Sequence, residues 1–326
     1  MPEGRIFMRA VVFDGKLRYV KDQPVPEIPN KGWARIRVLR AGICKTDMEL
    51  VRGYLGFNGI LGHEFVGVVE QCEDSAWIGK QVVGEINAAC GRCEWCRRGL
   101  GRHCPNRTTL GIQGLNGCMA DYCVLPLVNL LEIPAAMSKD RAVLVEPLSA
   151  ACEILEQVEL QGTERALVLG DGRLGILCAW ALSTALSNVT LVGHHQDKLD
   201  KAGWRHLRMV CGSSQVEPGA DLVVEATGSG GGIIEAMSLC RPRGTIVLKS
   251  TIASQGGINL APVVINELTV LGSRCGRFSD GLSMLQAYPD MPVERLITAR
   301  YRIEQALEGF ERATQPDAFK VLLEIG

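Results

Sequence analysis

The sequence predicts an α/β protein of two parts, a mainly β part built from short strands and a doubly wound part built on a parallel sheet. Three observations carry that prediction. The chain has 326 residues, 47% of them hydrophobic, which exceeds one ordinary domain and provides core material for two. Its rhythm changes after about residue 150, from β-rich runs punctuated by Gly and Pro to strands that alternate with helices. The first strand of the second part runs into a Gly-x-Gly-x-x-Gly turn that opens a helix.

In residues 1–150 the runs "MRAVVFDG", "GWARIRVLRAGIC", "EFVGVVEQC", "GKQVVGEI" and "ADYCVLP" are rich in β-branched residues and bounded by turn formers. Together they read as an antiparallel, barrel-like β domain. From about residue 165 the segments "RALVLGDGRLGILCAWALSTA", "NVTLVGHHQDKLDKAG", "ADLVVEATGSGGGIIEAMSLC" and "GTIVLKST" each pair a strand with a helix or turn, the βαβ pattern of a mostly parallel sheet. The segment "INELTVLGSRC" reads either as an internal strand or as an edge strand that pairs across a dimer axis. The tail "ALEGFERATQPDAFKVLLEIG" reads as a helix and a closing strand.

Charge and composition exclude several functions. With 35 basic against 36 acidic residues, the chain has no basic excess to attract a nucleic acid or an anionic membrane, so a small molecule is the expected partner. The N-terminus "MPEGRIFMRAVVF" lacks an apolar signal segment, and apolar runs such as "LVNLLEIPAAM" are broken by Pro, Asn or charge short of a bilayer's thickness. A soluble, cytoplasmic protein is expected. Thirteen cysteines in such a chain point to reduced thiols and metal ligands in preference to disulfides.

Four of them, Cys90, Cys93, Cys96 and Cys104, set a C-x2-C-x2-C-x7-C spacing in "CGRCEWCRRGLGRHC". Each two-residue step lets a tight turn bring neighbouring thiolates to one ion, and the seven-residue step closes the shell. Zinc suits four thiolates, and a closed shell leaves no position for substrate, so this loop is a bracing site and not a catalytic one.

The turn Gly170-Asp171-Gly172-Arg173-Leu174-Gly175 follows the apolar strand "RALVL" and opens "GILCAWALSTA". Glycines there let the backbone approach a pyrophosphate, which the helix N-terminus binds through its unpaired N–H groups. At the end of the next strand, where an Asp or Glu would accept the ribose hydroxyls of NAD, the residue is Gly193. Without that carboxylate, and with His194, His195 and Lys198 available as donors to a 2′-phosphate, NADP is favoured over NAD; the ordinary alternative is that these are solvated loop residues.

A second set of metal-ligating types lies in the β part: Cys44 in "AGICKTD", His63 and Glu64 in "LGHEFVG", and Glu146 in "LVEPLSAA". A thiolate, an imidazole and a carboxylate leave the open fourth position that a catalytic zinc requires. Beside Cys44, Thr46 has a hydroxyl suited to passing a proton, and Asp47 a carboxylate suited to orienting His63. Taken singly, Cys44 also reads as a small buried hydrophobe, His63 as a core histidine and Glu146 as a helix N-terminal charge.

Together "AGICKTD", "GHEFVGVVE", the four-cysteine loop, "EPLSAA", "GDGRLG", "VEATGS" and "DAFKVLLE" resemble the zinc-dependent medium-chain dehydrogenase/reductase family, from about Met8 onward and in the family's order. The resemblance implies a GroES-like catalytic domain over 1–150, a Rossmann coenzyme domain over 151–285 and a return to the catalytic domain over 286–326, with the active site in a cleft and a homodimeric or homotetrameric assembly. It implies two zinc ions per chain. Cys44, His63 and Glu146 carry over as catalytic ligands, and Glu64 as a carboxylate beside the metal that supports those ligands or takes the place of one. The "EPL" carboxylate is similar to the sorbitol, threonine and glucose dehydrogenase branch. The implied activity is hydride transfer between an alcohol or polyol and a nicotinamide cofactor. The alternatives are a zinc-independent quinone or enoyl reductase and a non-catalytic cofactor-binding member. Three departures from the family pattern stand out: Lys45 where Gly or Arg is common, a compact stretch with Tyr54 and Phe57 that either lines a pocket or packs the barrel, and Gly193.

Overall fold

Strand formation starts at Phe7. The computed structural model describes residues 6–251 and 257–326, which fall into two units, one ending at Glu146 and resuming at Ile297, the other spanning Pro147–Leu296. In the first unit β1 (Phe7–Phe13) pairs antiparallel with β2 (Leu17–Pro24). The central strand β3 (Trp33–Ile43) shows why sequence pattern becomes sheet: Ala34, Ile36 and Val38 face the core while Arg35 and Arg37 alternate outward. Its register shifts between Val38 and Arg40, and beyond that irregularity Ala41, Gly42 and Ile43 are all buried as the strand runs into α1 (Lys45–Val51).

The strands β4 (Gly59–Ile60), β5 (Glu64–Cys72), β6 (Gln81–Gly84) and β7 (Asn87–Ala88) follow. A short helix α2 (Glu94–Arg97) precedes β8 (Thr108–Leu110), β9 (Gly114–Leu115), β10 (Tyr122–Pro126) and β11 (Leu130–Glu132). Strands β4 and β2 flank β1, and β7, β8 and β9 form a small sheet of their own. The helices α3 (Lys139–Val143) and α4 (Val145–Gln157) lead out of this unit, the division falling near the start of α4.

In the second unit β12 (Arg165–Leu169), α5 (Arg173–Ser183), β13 (Asn188–Gly193), α6 (Gln196–Leu199) and β14 (Arg208–Cys211) build one half of a parallel sheet. The chain then crosses to β15 (Ala220–Glu225), α7 (Gly232–Leu239), β16 (Cys240–Leu248), α8 (Ala261–Ile265) and β17 (Thr269–Gly272), and α9 (Phe278–Ala287) closes the unit, which extends to Leu296 where the sequence suggested 285. The order β14-β13-β12-β15-β16-β17 places the reversal of winding between β12 and β15, the point at which such sheets bind ligands beyond their carboxyl ends. Leu167, Leu169, Val192, Val223 and Ile246 pack against Ala236, Met237 and Leu239 of α7. Helix α5 is buried from Gly175 to Ser183, which explains an apolar sequence all round the helix.

The chain re-enters the first unit as β18 (Ile297–Arg302), α10 (Ala306–Ala313) and β19 (Lys320–Glu324). Strand β19 lies antiparallel to β3 and parallel to β18, completing among the described residues a seven-stranded sheet in the order β11-β6-β5-β3-β19-β18 with β10 also on β3.

Candidate active site

The end of β3 and the start of β5 are neighbours in the sheet, Gly42 opposite Glu64, so Cys44 and His63 converge although 19 positions separate them. The side chains of Cys44, His63 and Glu64 bring one ligand atom each within 4.8 Å of one another, and both His63 and Glu64 are buried. Asp47 organises the group. It is fully buried, accepts the Cys44 amide at 2.8 Å and the Gly62 amide at 3.3 Å, and stands 3.3 Å from His63 Nδ1. Its carboxylate therefore caps α1 and faces the Nδ1 side of the imidazole at ion-pair distance, leaving Nε2 as the ring nitrogen for a ligand role. Burial opposes an imidazolium at His63, but Asp47 together with the Cys44 thiol holds its pKa well above the ordinary value. Thr46 Oγ1 stands 3.8 Å from Cys44 Sγ and is half-buried.

The set brought together differs from the expected ligands in its carboxylate. Glu64, which opens β5 immediately after His63, joins Cys44 and His63; Glu146, at the start of α4, belongs to no such group among the described residues. A residue adjacent to His63 shares its strand position, whereas the position of Glu146 depends on a separate helix. Glu64 also carries a partner that the sequence reading missed. Its Oε2 accepts the Nζ of Lys320, which also donates to Ile43 O at 3.1 Å, and both Lys320 and Glu64 are 0% exposed. The pair crosses β3 over Gly42, where any Cβ would collide with the Glu64 carboxylate. A single Lys inside the apolar strand "FKVLL" was the available signal.

The four-cysteine loop folds so that its sulfurs meet. Cys93 caps α2 and carries Cys96 one turn on, and Cys104 follows a 3-10 turn. Cys93 Sγ stands 3.5 Å from that of Cys96 and 3.7 Å from that of Cys104, and Cys90 Sγ lies 4.0 Å from that of Cys96. A tetrahedron with Zn–S bonds of about 2.3 Å has edges of about 3.8 Å, so the four thiols fit the ion. Backbone amides of Arg92 and Cys93 aimed at Cys90 lower its thiol pKa, while burial and the neighbouring thiols push that of Cys96 up to about 12.

In the dinucleotide turn the three glycines do three jobs. Gly170 has φ of +117°, and a Cβ there would come within 2.5 Å of Ala226 O. A Cβ on Gly175 would collide with Gly170 O, so only glycine lets α5 return this close to β12. A Cβ on Gly172 would meet nothing within 4 Å, which leaves open space at the helix N-terminus. Arg173 and Leu174 form the half-buried first turn of α5. Gly193 ends β13, as expected, with His194 and His195 exposed and Lys198 half-buried. The amides of His194 and His195 both donate to Asp171 Oδ2 at 2.7 Å, a contact the sequence reading did not foresee. Lys45 is exposed; so is Tyr54, at 53%, which does not pack the barrel, while Phe57 is half-buried.

The family model for the alcohol dehydrogenase GroES-like domain matches residues 30–135, and that for the glucose dehydrogenase C-terminus matches residues 139–325. This chain belongs to the medium-chain dehydrogenase/reductase family. Glucose 1-dehydrogenase of Methanocella arvoryzae resembles this dehydrogenase/reductase at 29% identity, over 91% of this chain and 93% of its own. D-xylulose reductase A of Aspergillus niger is 26% identical over 93% and 92% of the two chains. Among solved structures, alcohol dehydrogenase TADH from Thermus sp. ATN1 superposes on this dehydrogenase/reductase with a TM-score of 0.86 and 27% identity, covering 98% of this chain and 100% of that one. The two units are thus a GroES-like domain and a Rossmann-type domain of this family.

Proposed function

We propose that this medium-chain dehydrogenase/reductase transfers a hydride between an alcohol or polyol, or the corresponding carbonyl compound, and a nicotinamide cofactor. The observation that carries this reading is the convergence of half-buried Cys44 with buried His63 and Glu64 in a chain whose second unit holds an open Gly-x-Gly-x-x-Gly turn. The glucose dehydrogenase, D-xylulose reductase and alcohol dehydrogenase named above support the substrate class. Two zinc ions per chain are proposed, one held by Cys90, Cys93, Cys96 and Cys104 and one by Cys44, His63 and Glu64, with Glu146 kept as the alternative carboxylate. When bound, the metal at Cys44 supplies a Lewis acid for the substrate oxygen, and the nicotinamide supplies the two-electron exchange partner.

The chain's own residues do the rest. Asp47 faces His63 Nδ1 at 3.3 Å and so favours Nε2 as the nitrogen toward the metal position. Thr46 Oγ1, beside Cys44 Sγ, is placed to take a proton from a substrate hydroxyl and pass it on. Gly172 and the first amides of α5 receive the pyrophosphate. Complete ligand groups at both places weigh against a zinc-independent reductase and against a non-catalytic member.

Coenzyme choice has support on both sides. The lack of an acid at Gly193, beside His194, His195 and Lys198, supports NADP; the carboxylate of Asp171 at the same strand end supports NAD, and it is this group that stands where a side chain on Gly193 would begin. A homodimer or homotetramer is supported by β17, an edge strand, and by Val264 and Ile265 of α8, each 77% exposed. Among the described residues no helix is long and apolar enough to cross a membrane.

Elemental analysis of the purified protein tests the core of this reading. Two zinc ions per chain are expected, with Cys44→Ser losing one of them and abolishing oxidation across a panel of polyols and simple alcohols. One zinc, unchanged by Cys44→Ser, overturns it.

A further inference from the structure

The end of β13 lacks an acid in sequence but not in space. A Cβ placed on Gly193 would lie 2.5 Å from Asp171 Cβ and 2.7 Å from Asp171 Oδ2. The volume that a side chain at 193 would enter is therefore filled by the Asp171 side chain, delivered from the turn between β12 and α5. Three donors fix that carboxylate: the amides of His194 and His195 at 2.7 Å and the His195 ring nitrogen Nδ1 at 2.9 Å. All three meet Oδ2, so Oδ1 takes none of them. Burial would raise the Asp171 pKa, but the two amides and the His195 ring outweigh it and keep the group below the usual carboxylate range, hence ionised.

We propose that Asp171 is the coenzyme-specificity residue of this chain: it supplies from the glycine turn the ribose-hydroxyl acceptor that Gly193 lacks, and so selects NAD over NADP. The inference rests on the reading that the second unit binds a nicotinamide dinucleotide. Oδ1 accepts from the adenosine ribose hydroxyls as an acid on β13 would. A 2′-phosphate brought to the same place meets an anchored carboxylate that cannot turn aside, since its other oxygen is held by two backbone amides. The His195 ring, one candidate donor to a 2′-phosphate, is turned onto Asp171 instead, and the lysines that follow, Lys198 and Lys201, stand in sequence beside Asp197 and Asp200. The sequence shows only Gly193 at this strand end, whereas the fold brings the Asp171 carboxylate to it.

Fluorescence titration of the zinc-loaded protein with NADH and with NADPH tests this without knowledge of the substrate. The wild type binds NADH more tightly, by about tenfold or more, the scale of one close charge interaction near a protein surface. Asp171→Asn retains an oxygen to accept the two amides but loses the charge, and the NADH preference falls by about tenfold. The double variant Asp171→Gly/Gly193→Asp returns the acid to the strand and restores the preference; it also serves as the test if Asp171→Asn fails to fold. A wild type that prefers NADPH overturns the proposal, as does an Asp171→Asn protein that binds both coenzymes more weakly by the same factor, since that is the signature of a turn brace. Binding of neither coenzyme is a different failure, that of the dinucleotide reading itself, and takes the proposal with it.

Discussion

Lys320 and Glu64 show how one residue's character is set by its neighbours across a sheet. Each would be excluded from a core alone, yet both are fully buried because β19, β3 and β5 run side by side and Gly42 leaves the space between them. Removing one partner of a buried pair leaves the other charge without compensation, which costs about 3–5 kcal/mol. Lys320→Met is accordingly expected to lower the unfolding free energy of chelator-treated protein by that amount in urea titrations. Adding Glu64→Gln to the same chain is expected to recover part of it. A loss below about 1 kcal/mol, the size found for exposed pairs, rules out a bracing role. In the metal-loaded protein Glu64 has a second cation to face, so the cost of losing Lys320 is expected to be smaller there.

At the scale of the element, the glycine turn separates two kinds of constraint. At Gly175 a methyl group would press on the Gly170 carbonyl and force α5 away from β12, whereas at Gly172 it would enter open space. Gly175→Ala is expected to reduce soluble yield and melting temperature. Gly172→Ala is expected to melt near the wild type while weakening NADH binding, because the added methyl stands where a pyrophosphate must approach. Equal melting of the two variants would remove the packing argument. The cysteine loop is an element of another kind, α2 being only four residues long and held by sulfurs spaced for one ion. Cys93→Ser is expected to lose one zinc and lower the melting temperature, leaving turnover at the remaining folded fraction largely intact; an unchanged melting curve would mean that the loop needs no metal.

For the whole molecule the open feature is the edge of the parallel sheet. Among the described residues strand β17 pairs only with β16, which leaves its other side without a strand partner there, and α8 just before it exposes Val264 and Ile265. Soluble chains seldom leave such an edge uncovered. Analytical ultracentrifugation is expected to find a dimer or tetramer, and replacing Val270, on the exposed strand, with Lys is expected to shift the population toward monomer. A monomeric wild type would assign the edge some other cover.

The order of elements was legible in the sequence because it depends on local chemistry. Alternating runs such as "WARIRVL" make strands, a Gly-x-Gly-x-x-Gly turn between strand and helix makes a dinucleotide fold, and closely spaced cysteines need only a short loop to meet. Cys44, Asp47 and His63 could be named as a group since their residue types and the family resemblance single them out. What the sequence by itself could not determine is which distant side chains share a place. That Glu64 stands beside Cys44 and His63 follows from the register of β3 against β5; that Lys320 pairs with it follows from the return of β19 to the same sheet. That Asp171 fills the station left empty at Gly193 follows from β12 and β13 lying side by side, so that a turn side chain reaches the neighbouring strand's end. Such meetings are fixed by pairing between strands far apart in the chain, and no periodicity in a single strand encodes them.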